Sequence, residues 1–372
     1  MQRRKHMLNI EEAEQLYKAG KFKEAKIIFQ KLAEDGNPRA MYFMAQYTNV
    51  DIGIYLTASD EALTWLQKGL AVGDPLCGVQ YVTVKKEEDT TSYPEEDWVK
   101  VLENQVDDDV ISNVLGNYYI RKNTDKEAPQ MKRGWELLQM GADHGYWKSM
   151  IDLAFYYDGT VKGPNDVNKA NAYYEQVQQM GIAEGIYHVG MQYYYGKGYE
   201  MNKSKGMRLW KKAAAKGHNG AAMTLGFLMS FDTRKAVQQE GFRYTKQAAE
   251  AGIPLAIGNL ANCYFYGKGT RKDRRLAKIN YQKASDLGMD SSTMQLGVIY
   301  HEEGKDEKAF SLFHEAAMHG YADAMGWVAA CYNNGYGVPQ DQKVAHDWLK
   351  RAAAAGSRDA VEALRVVFGE NE

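Results

Sequence analysis

The sequence predicts an all-α protein built as a solenoid of helix pairs, and two observations support this prediction. Glycine is frequent and proline is rare, at 35 against 7 among 372 residues, so turns are made mainly by glycine. A glycine also closes an alanine-rich helical segment about every 36 residues along most of the chain. A period of this length indicates repeats that stack on one another and share a continuous core.

The recurring glycine marks the end of each repeat, and positions are counted from it below. It occurs at Gly36, Gly73, Gly145, Gly181, Gly217, Gly252, Gly288, Gly320 and Gly356. Alanine or glycine stands eleven residues before it, and another small residue follows at position 9, mostly with an aromatic at position 12. Positions 8, 9 and 12 share one helical face. Each repeat is therefore predicted to contain two antiparallel helices, A and B, that cross at the small residues, with the glycine ending helix B.

The connections between helices A and B carry a further pattern, as in YYGKGYEMN, YFYGKGTRKD and YNNGYGVPQD. Together with the flanking helices, this pattern resembles the Sel-one-like repeat (SLR), a relative of the tetratricopeptide repeat. The best matches are residues 182–217, 253–288 and 321–356. The resemblance implies a right-handed superhelical α/α solenoid of about ten antiparallel helix pairs. It also implies an adaptor, since members of the family bind very different partners.

The whole chain, residues 1–372, is expected to form one solenoid. Residues 10–36 resemble a tetratricopeptide unit at the N-terminus, and residues 357–368 are expected to form a C-terminal capping helix. Residues 74–107 form a degenerate repeat that lacks its closing glycine. Its acidic loop, residues 87–97, is either a solvated insertion or a functional segment.

Composition excludes several classes of protein. With 46 basic and 48 acidic residues, the net charge of −2 gives no global attraction to nucleic acid or anionic lipid. There is no apolar run long enough to span a membrane and no apolar core of a secretory signal. The three cysteines form no CxxC pair, so free thiols are expected. We expect a cytoplasmic protein without membrane insertion.

Motifs for catalysis or cofactor binding are missing from the sequence. There is no phosphate-binding glycine loop, and His314 and His319 are five residues apart where a helical zinc motif needs four. We therefore predict no enzyme, no cofactor, no metal and no catalytic residue, although an enzyme hidden in the degenerate repeat stays open. The basic stretches Lys197–Lys216 and Lys268–Lys278 favour a charged surface that steers a protein partner over one that binds nucleic acid.

The resemblance places helix A of each repeat along a concave groove. Positions 3, 7 and 11 are spaced i, i+4, i+8 and should face that groove. Position 7 is expected to be exposed, whereas position 11 either faces the groove or packs against the next repeat. The candidate partner-binding residues are Phe43, Tyr47, Tyr118, Asp152, Tyr156, His188, Gln192, Asn259, Gln295 and Trp327.

These observations favour a non-enzymatic adaptor or scaffold that binds a peptide or protein partner in the groove of the A helices. The alternative is a bacterial immunity or regulatory protein that binds and inhibits a toxin or effector enzyme. Neither the identity of the partner nor the pathway follows from the sequence.

Overall fold

A computed structural model describes residues 9–50, 59–85, 93–123, 125, 128–160 and 163–368. Within these ranges the protein has 21 α-helices and no strand, which confirms the predicted all-α solenoid of helical repeats. The chain divides into two compact units, the N-terminal unit Met1–Ala221 and the C-terminal unit Ala222–Glu372.

Consecutive helices of the N-terminal unit form packed pairs, in which an odd-numbered helix A is followed by an even-numbered helix B. These helices are α1 (Ile10–Lys18), α2 (Phe22–Glu34), α3 (Pro38–Val50), α4 (Asp60–Ala71), α5 (Pro75–Val84), α6 (Glu95–Glu103), α7 (Asp109–Lys122), α8 (Pro129–Asp143), α9 (Trp147–Tyr157), α10 (Val167–Gln179), α11 (Ala183–Tyr195) and α12 (Lys203–Ala215). Most of the acidic loop 87–97 lies outside the described residues, which resume at Tyr93.

The same alternation continues in the C-terminal unit and ends in one unpaired helix at the position predicted for a cap. The helices are α13 (Asn219–Met229), α14 (Lys235–Glu250), α15 (Pro254–Tyr266), α16 (Arg274–Asp286), α17 (Asp290–Glu302), α18 (Asp306–Met318), α19 (Ala322–Asn334), α20 (Gln342–Ala354) and α21 (Arg358–Phe368). Along the described chain, none of the helices combines the length and the apolar character needed to cross a bilayer.

The repeating glycine ends helix B as predicted. After α12, Gly217 has φ 94°, a left-handed conformation that a side chain would strain. The Gly217 amide donates to the carbonyl of Ala214, and the His218 amide donates to that of Ala213. These two bonds satisfy carbonyls that the end of the helix would otherwise leave unpaired.

The predicted close crossing of helices A and B at small residues is also confirmed. In the pair α11 and α12, a Cβ at Gly206 would lie 2.7 Å from the carbonyl oxygen of Gly190. Real Cβ atoms do not approach so closely, so the two backbones can meet only where a side chain is missing.

A large side chain from helix B fills the space over the small residue of helix A. A Cβ at Gly190 would lie 2.7 Å from the Trp210 ring, and one at Gly297 would lie 2.7 Å from the Phe313 ring. The filling residue stands four positions after the small residue of helix B. In most pairs that have this small residue, the filling residue is large and apolar, namely Phe29, Leu66, Leu138, Tyr174, Trp210, Tyr281, Phe313 and Leu349.

Candidate functional site

In the N-terminal unit, the chain's own first helix covers part of the face formed by the A helices. The ring centroid of Tyr17 lies 5.1 Å from that of Phe43, 5.7 Å from Tyr47 and 5.6 Å from Trp147. Lys18 pairs with Asp109 at the start of α7, at 2.8 Å. Phe43 and Tyr47 are consequently buried, and the prediction that position 7 is exposed is wrong at Phe43.

Asp152 and Tyr156 belong to a buried polar network inside the same unit. The Asp152 carboxylate accepts hydrogen bonds from the side-chain amides of Asn113, at 2.7 Å, and Asn117, at 2.8 Å. The Tyr156 hydroxyl donates to the Asn117 Oδ1. Because Asp152 is only 6% exposed, the prediction of an exposed position 7 is wrong here too, and the carboxylate serves as an internal acceptor.

The remaining candidates of the N-terminal unit are engaged in contacts of their own. His188 stacks on Tyr174 with ring centroids 4.7 Å apart, and its Nε2 lies 3.1 Å from Glu184 Oε1. Gln192 is buried, whereas the half-buried Tyr118 donates its hydroxyl to Glu95. This face therefore offers a partner less accessible surface than the repeat pattern suggests.

In the C-terminal unit, by contrast, the A helices leave an open cavity of about 220 Å³ between α13, α14, α15 and α17. Two sequence-predicted candidates, Asn259 and Gln295, come together in its wall. Within the described part of the chain their side-chain amides make no hydrogen bond, so they are open to a ligand. Trp327 lies elsewhere in this unit, partly exposed and stacked on Phe313 with ring centroids 4.9 Å apart.

The helix pair beside the cavity lacks a large filling residue. Four positions after Gly241 stands Thr245, where the other pairs place a large apolar side chain. Thr245 is buried against Gly226 of α13, and its hydroxyl donates to the Gly241 carbonyl of its own helix, at 3.1 Å. A Cβ at Gly226 would lie 2.8 Å from the backbone nitrogen of Thr245, so α14 approaches α13 directly here, without a ring between the two helices.

Exposed aromatic side chains surround the opening. Phe227 is 49% exposed, Phe231 63% and Tyr266 49%, and all three line the cavity. The Lys268 ammonium lies 4.6 Å from the centroid of Phe231 and 5.8 Å from that of Tyr266. An ammonium held against two aromatic rings is a cation–π arrangement. Large apolar side chains in contact with water around a cavity are typical of binding sites.

The wall behind these rings is neutral. Cys263 borders the cavity, and burial raises the pKa of its thiol, which keeps the thiol protonated near neutral pH. The Asn262 Oδ1 accepts a hydrogen bond from the Tyr281 hydroxyl, which fixes the orientation of this amide. The cavity thus combines an uncharged interior with one positive charge at its mouth.

Sequence reasoning identified Asn259 and Gln295 but missed Thr245, Phe227, Phe231, Tyr266 and Lys268. The signal for Thr245 was present, because it interrupts a series of large residues at one repeat position. The aromatic rim lies outside the positions 3, 7 and 11 that the pattern predicts to face the groove, since Phe227 stands at position 10 and Phe231 and Tyr266 stand at position 14. Position 11 is expected either to face the groove or to pack against the next repeat. Five of its residues are buried, namely Tyr47, Tyr156, Gln192, Cys263 and Cys331.

Comparison with protein families identifies the repeats. A family model for the Sel1 repeat matches residues 147–176, 254–289, 291–321 and 322–357. A model for plant tetratrico peptide repeats matches residues 163–263. The four Sel1 segments lie on helix pairs of the structure, including the pair α15 and α16 next to the cavity.

Similar proteins of known name match this chain at about 25% identity and over part of their length. The chain is 25% identical over 247 residues to chitin synthase regulatory factor 3 of Schizosaccharomyces pombe, and the match covers 62% of this chain and 26% of that protein. It is 25% identical over 187 residues to the DAP3-binding cell death enhancer 1 of Rattus norvegicus, covering 40% of this chain and 37% of the relative. The chain thus spans well under half the length of these relatives.

Among solved structures, the chain is similar to a protective antigen present in uropathogenic Escherichia coli strains that displays an SLR fold. The TM-score is 0.59 with 21% sequence identity, and the match covers 98% of this chain and 84% of that one. At this identity the likeness shows the fold alone. The family model thus shows Sel1 repeats at four places in the chain, and the fold is that of a helical repeat solenoid.

Proposed function

We propose that this Sel1-like repeat protein is a non-enzymatic, cytoplasmic adaptor that binds a peptide or protein partner on the A helices of its C-terminal unit. The observation that supports this function is the cavity beside Asn259 and Gln295, with its exposed aromatic rim. Sel1 repeats are generally protein–protein interaction modules, and this cavity supplies the features that such a module needs.

The rim has the composition of a binding hot spot. Aromatic side chains bury a large area when a partner covers them, and the contacts around a central pocket exclude water from it. The two open amides add donors and acceptors for a peptide backbone, whose unpaired groups would otherwise lose their hydrogen bonds to water. The site can therefore supply both affinity and orientation.

Affinity capture from a native lysate, read out by quantitative mass spectrometry, tests this function. The baits are the wild-type chain, the double variant Phe227→Ser/Phe231→Ser, and the control variant Ile279→Ser. Ile279 lies on α16 and is 52% exposed, so the control removes a comparable apolar side chain away from the cavity. Circular dichroism of all three baits checks that their helicity is equal.

A protein retained by the wild type and the control but lost with the double variant is the expected result. Identical captured sets for all three baits would refute binding at this cavity. The identity of the captured protein also distinguishes an adaptor from the alternative function, since an immunity or regulatory protein would retain a toxin or effector enzyme and inhibit it.

A further inference from the structure

Lys268 holds a positive charge at the mouth of the cavity, and no carboxylate of the described chain pairs with it. Its ammonium forms no ion pair with the described residues and lies against the rings of Phe231 and Tyr266. Other cations of this region are neutralised, since Arg274 pairs with Glu302 and Lys278 with Glu303. Lys268 is therefore available to an anionic group of a ligand.

The connection that follows Lys268 extends this charge. Arg271 and Lys272 in this connection, and Arg275 in the first turn of α16, are exposed and form no ion pair with the described residues. A group of like charges at the edge of an apolar site attracts a partner of opposite charge and orients its approach. The pattern favours an acidic ligand over a basic or neutral one.

The interior of the cavity favours an uncharged group, unlike its positively charged mouth. Gly226, Thr245 and Cys263 present small, uncharged surfaces around a space of about 220 Å³. A single water molecule takes about 30 Å³ of liquid volume, so this space is large enough for a whole side chain. An aromatic or large aliphatic side chain of a ligand would fit into it.

We propose that the ligand is an acidic peptide segment that inserts one aromatic or large aliphatic side chain into the cavity and places a neighbouring carboxylate on Lys268. This proposal rests on the proposed function and specifies its partner. Asn259 and Gln295 hold the backbone of the inserted residue, and the charges of Arg271, Lys272 and Arg275 attract the acidic residues around it.

A single-stranded nucleic acid could also use aromatic rings beside cations, but the geometry disfavours it. Base recognition on such a surface requires open ring faces for stacking. The Lys268 ammonium covers the Phe231 ring, and Phe227 and Phe231 pack edge to face with centroids 5.0 Å apart. The cavity, in addition, is shaped for a side chain that enters it and not for a series of stacked bases.

The test measures fluorescence anisotropy of labelled probes with the full-length chain. One heptapeptide carries a central phenylalanine between aspartate and glutamate residues. In a second peptide alanine replaces the phenylalanine, and in a third lysine replaces every acidic residue. A fourth probe is a single-stranded oligothymidylate. The proteins are the wild type, Lys268→Glu, Thr245→Phe, which fills the cavity, and the control Lys283→Glu, an exposed lysine on α16.

We expect the acidic phenylalanine peptide to bind the wild type, with affinity that falls as salt is added. Lys268→Glu should weaken its binding about tenfold or more, and Thr245→Phe should reduce it to the level of the alanine peptide. Lys283→Glu should stay within about twofold of the wild type, because it changes the net charge equally but lies outside the cavity.

Several results would overturn the inference. They are equal binding of the acidic and the lysine peptides, preferential binding of the oligothymidylate, insensitivity to Thr245→Phe, or no binding of the acidic peptide. If a lysine or neutral peptide binds the wild type and this binding is lost in Thr245→Phe, the ligand is not acidic. Insertion of a side chain into the cavity would still hold. The proposed function itself fails only when the capture experiment, which does not depend on probe charge, finds no partner that requires the rim.

Discussion

Replacing Thr245 with phenylalanine should stabilise the protein, although the substitution is large and its site is buried. The variant restores the side chain that the repeat pattern places at this position. The chain already uses the same combination elsewhere, since Phe313 packs over Gly297 in the pair α17 and α18. In the pair α13 and α14 the corresponding glycine, Gly226, is in contact with Thr245, and a ring at position 245 would have to enter the cavity of about 220 Å³ that Thr245 lines.

The magnitude follows from the carbon atoms that the ring adds and from the hydrogen bonds of the threonine that it replaces. Phenylalanine buries about four more carbon atoms than the isosteric valine, worth at most about 3 kcal/mol at about 0.8 kcal/mol per methylene. Imperfect fit in a core typically removes about 1–3 kcal/mol. The Thr245 hydroxyl donates to the Gly241 carbonyl within its own helix, so removing it costs little. The expected net gain is about 1 kcal/mol.

Urea unfolding followed by circular dichroism measures this change in the free energy of unfolding. Thr245→Val is the control, because it removes the hydroxyl without filling the cavity and should stay within about 0.5 kcal/mol of the wild type. The converse variant, Phe313→Thr, creates a cavity where the pattern is intact and should destabilise by about 3–5 kcal/mol.

A Thr245→Phe variant that is less stable than Thr245→Val would refute the reasoning. It would mean that the space between α13, α14, α15 and α17 is too narrow for a ring, and that Thr245 is required for packing. The cavity would then have no role that depends on its volume.

Three further predictions concern the packing and the buried polar groups. Gly206→Leu should destabilise by about 1–3 kcal/mol or more, because its Cβ would meet the backbone of helix α11; unchanged thermal unfolding would contradict the crossing. Tyr146→Phe should leave the free energy of unfolding in urea unchanged or raise it, since the buried Tyr146 hydroxyl has no hydrogen-bond partner in the described chain. Tyr47→Phe should lower it by about 1 kcal/mol, because it removes a hydrogen bond to the Phe22 carbonyl. Although burial opposes ionisation of Glu184, His218 and the neighbouring histidine hold the pKa of this carboxyl well below its ordinary value of 4.5. The depressed pKa stabilises the fold above pH 4.5, and this contribution is lost as the pH falls below it. Glu184→Gln should therefore flatten the decline of the unfolding free energy between about pH 5 and 3.

The fold was predictable because its determinants repeat. The glycine after each B helix and the small residues at the crossing, such as Gly190 and Gly206, recur at a fixed spacing that one sequence is long enough to reveal. Each of them acts through local sterics, either by a left-handed φ or by a backbone approach, so no long-range information is required.

The candidate site was predictable only in part, because exposure depends on contacts between distant segments. Position 7 lies on the same face of every A helix, but Tyr17 of α1 packs over Phe43. Asp152 is buried where it accepts hydrogen bonds from Asn113 and Asn117. Nothing in the repeat period indicates which members of a stripe the chain itself covers. Asn259 and Gln295 differ from Phe43 and Asp152 because they line the open cavity beside Thr245.

The position of Thr245 also explains how a repeat protein can carry a site without losing its fold. Each helix pair depends mainly on its neighbours, so one underpacked pair weakens the array locally and the remaining pairs hold it. If the cavity were only a packing defect, filling it would raise stability and change nothing else. If it is a binding site, Thr245→Phe should raise stability and abolish binding in the same molecule. A merely destabilising substitution cannot give this combination, since loss of binding through partial unfolding would be accompanied by a lower free energy of unfolding. The pair of measurements therefore distinguishes a functional cavity from an accidental one.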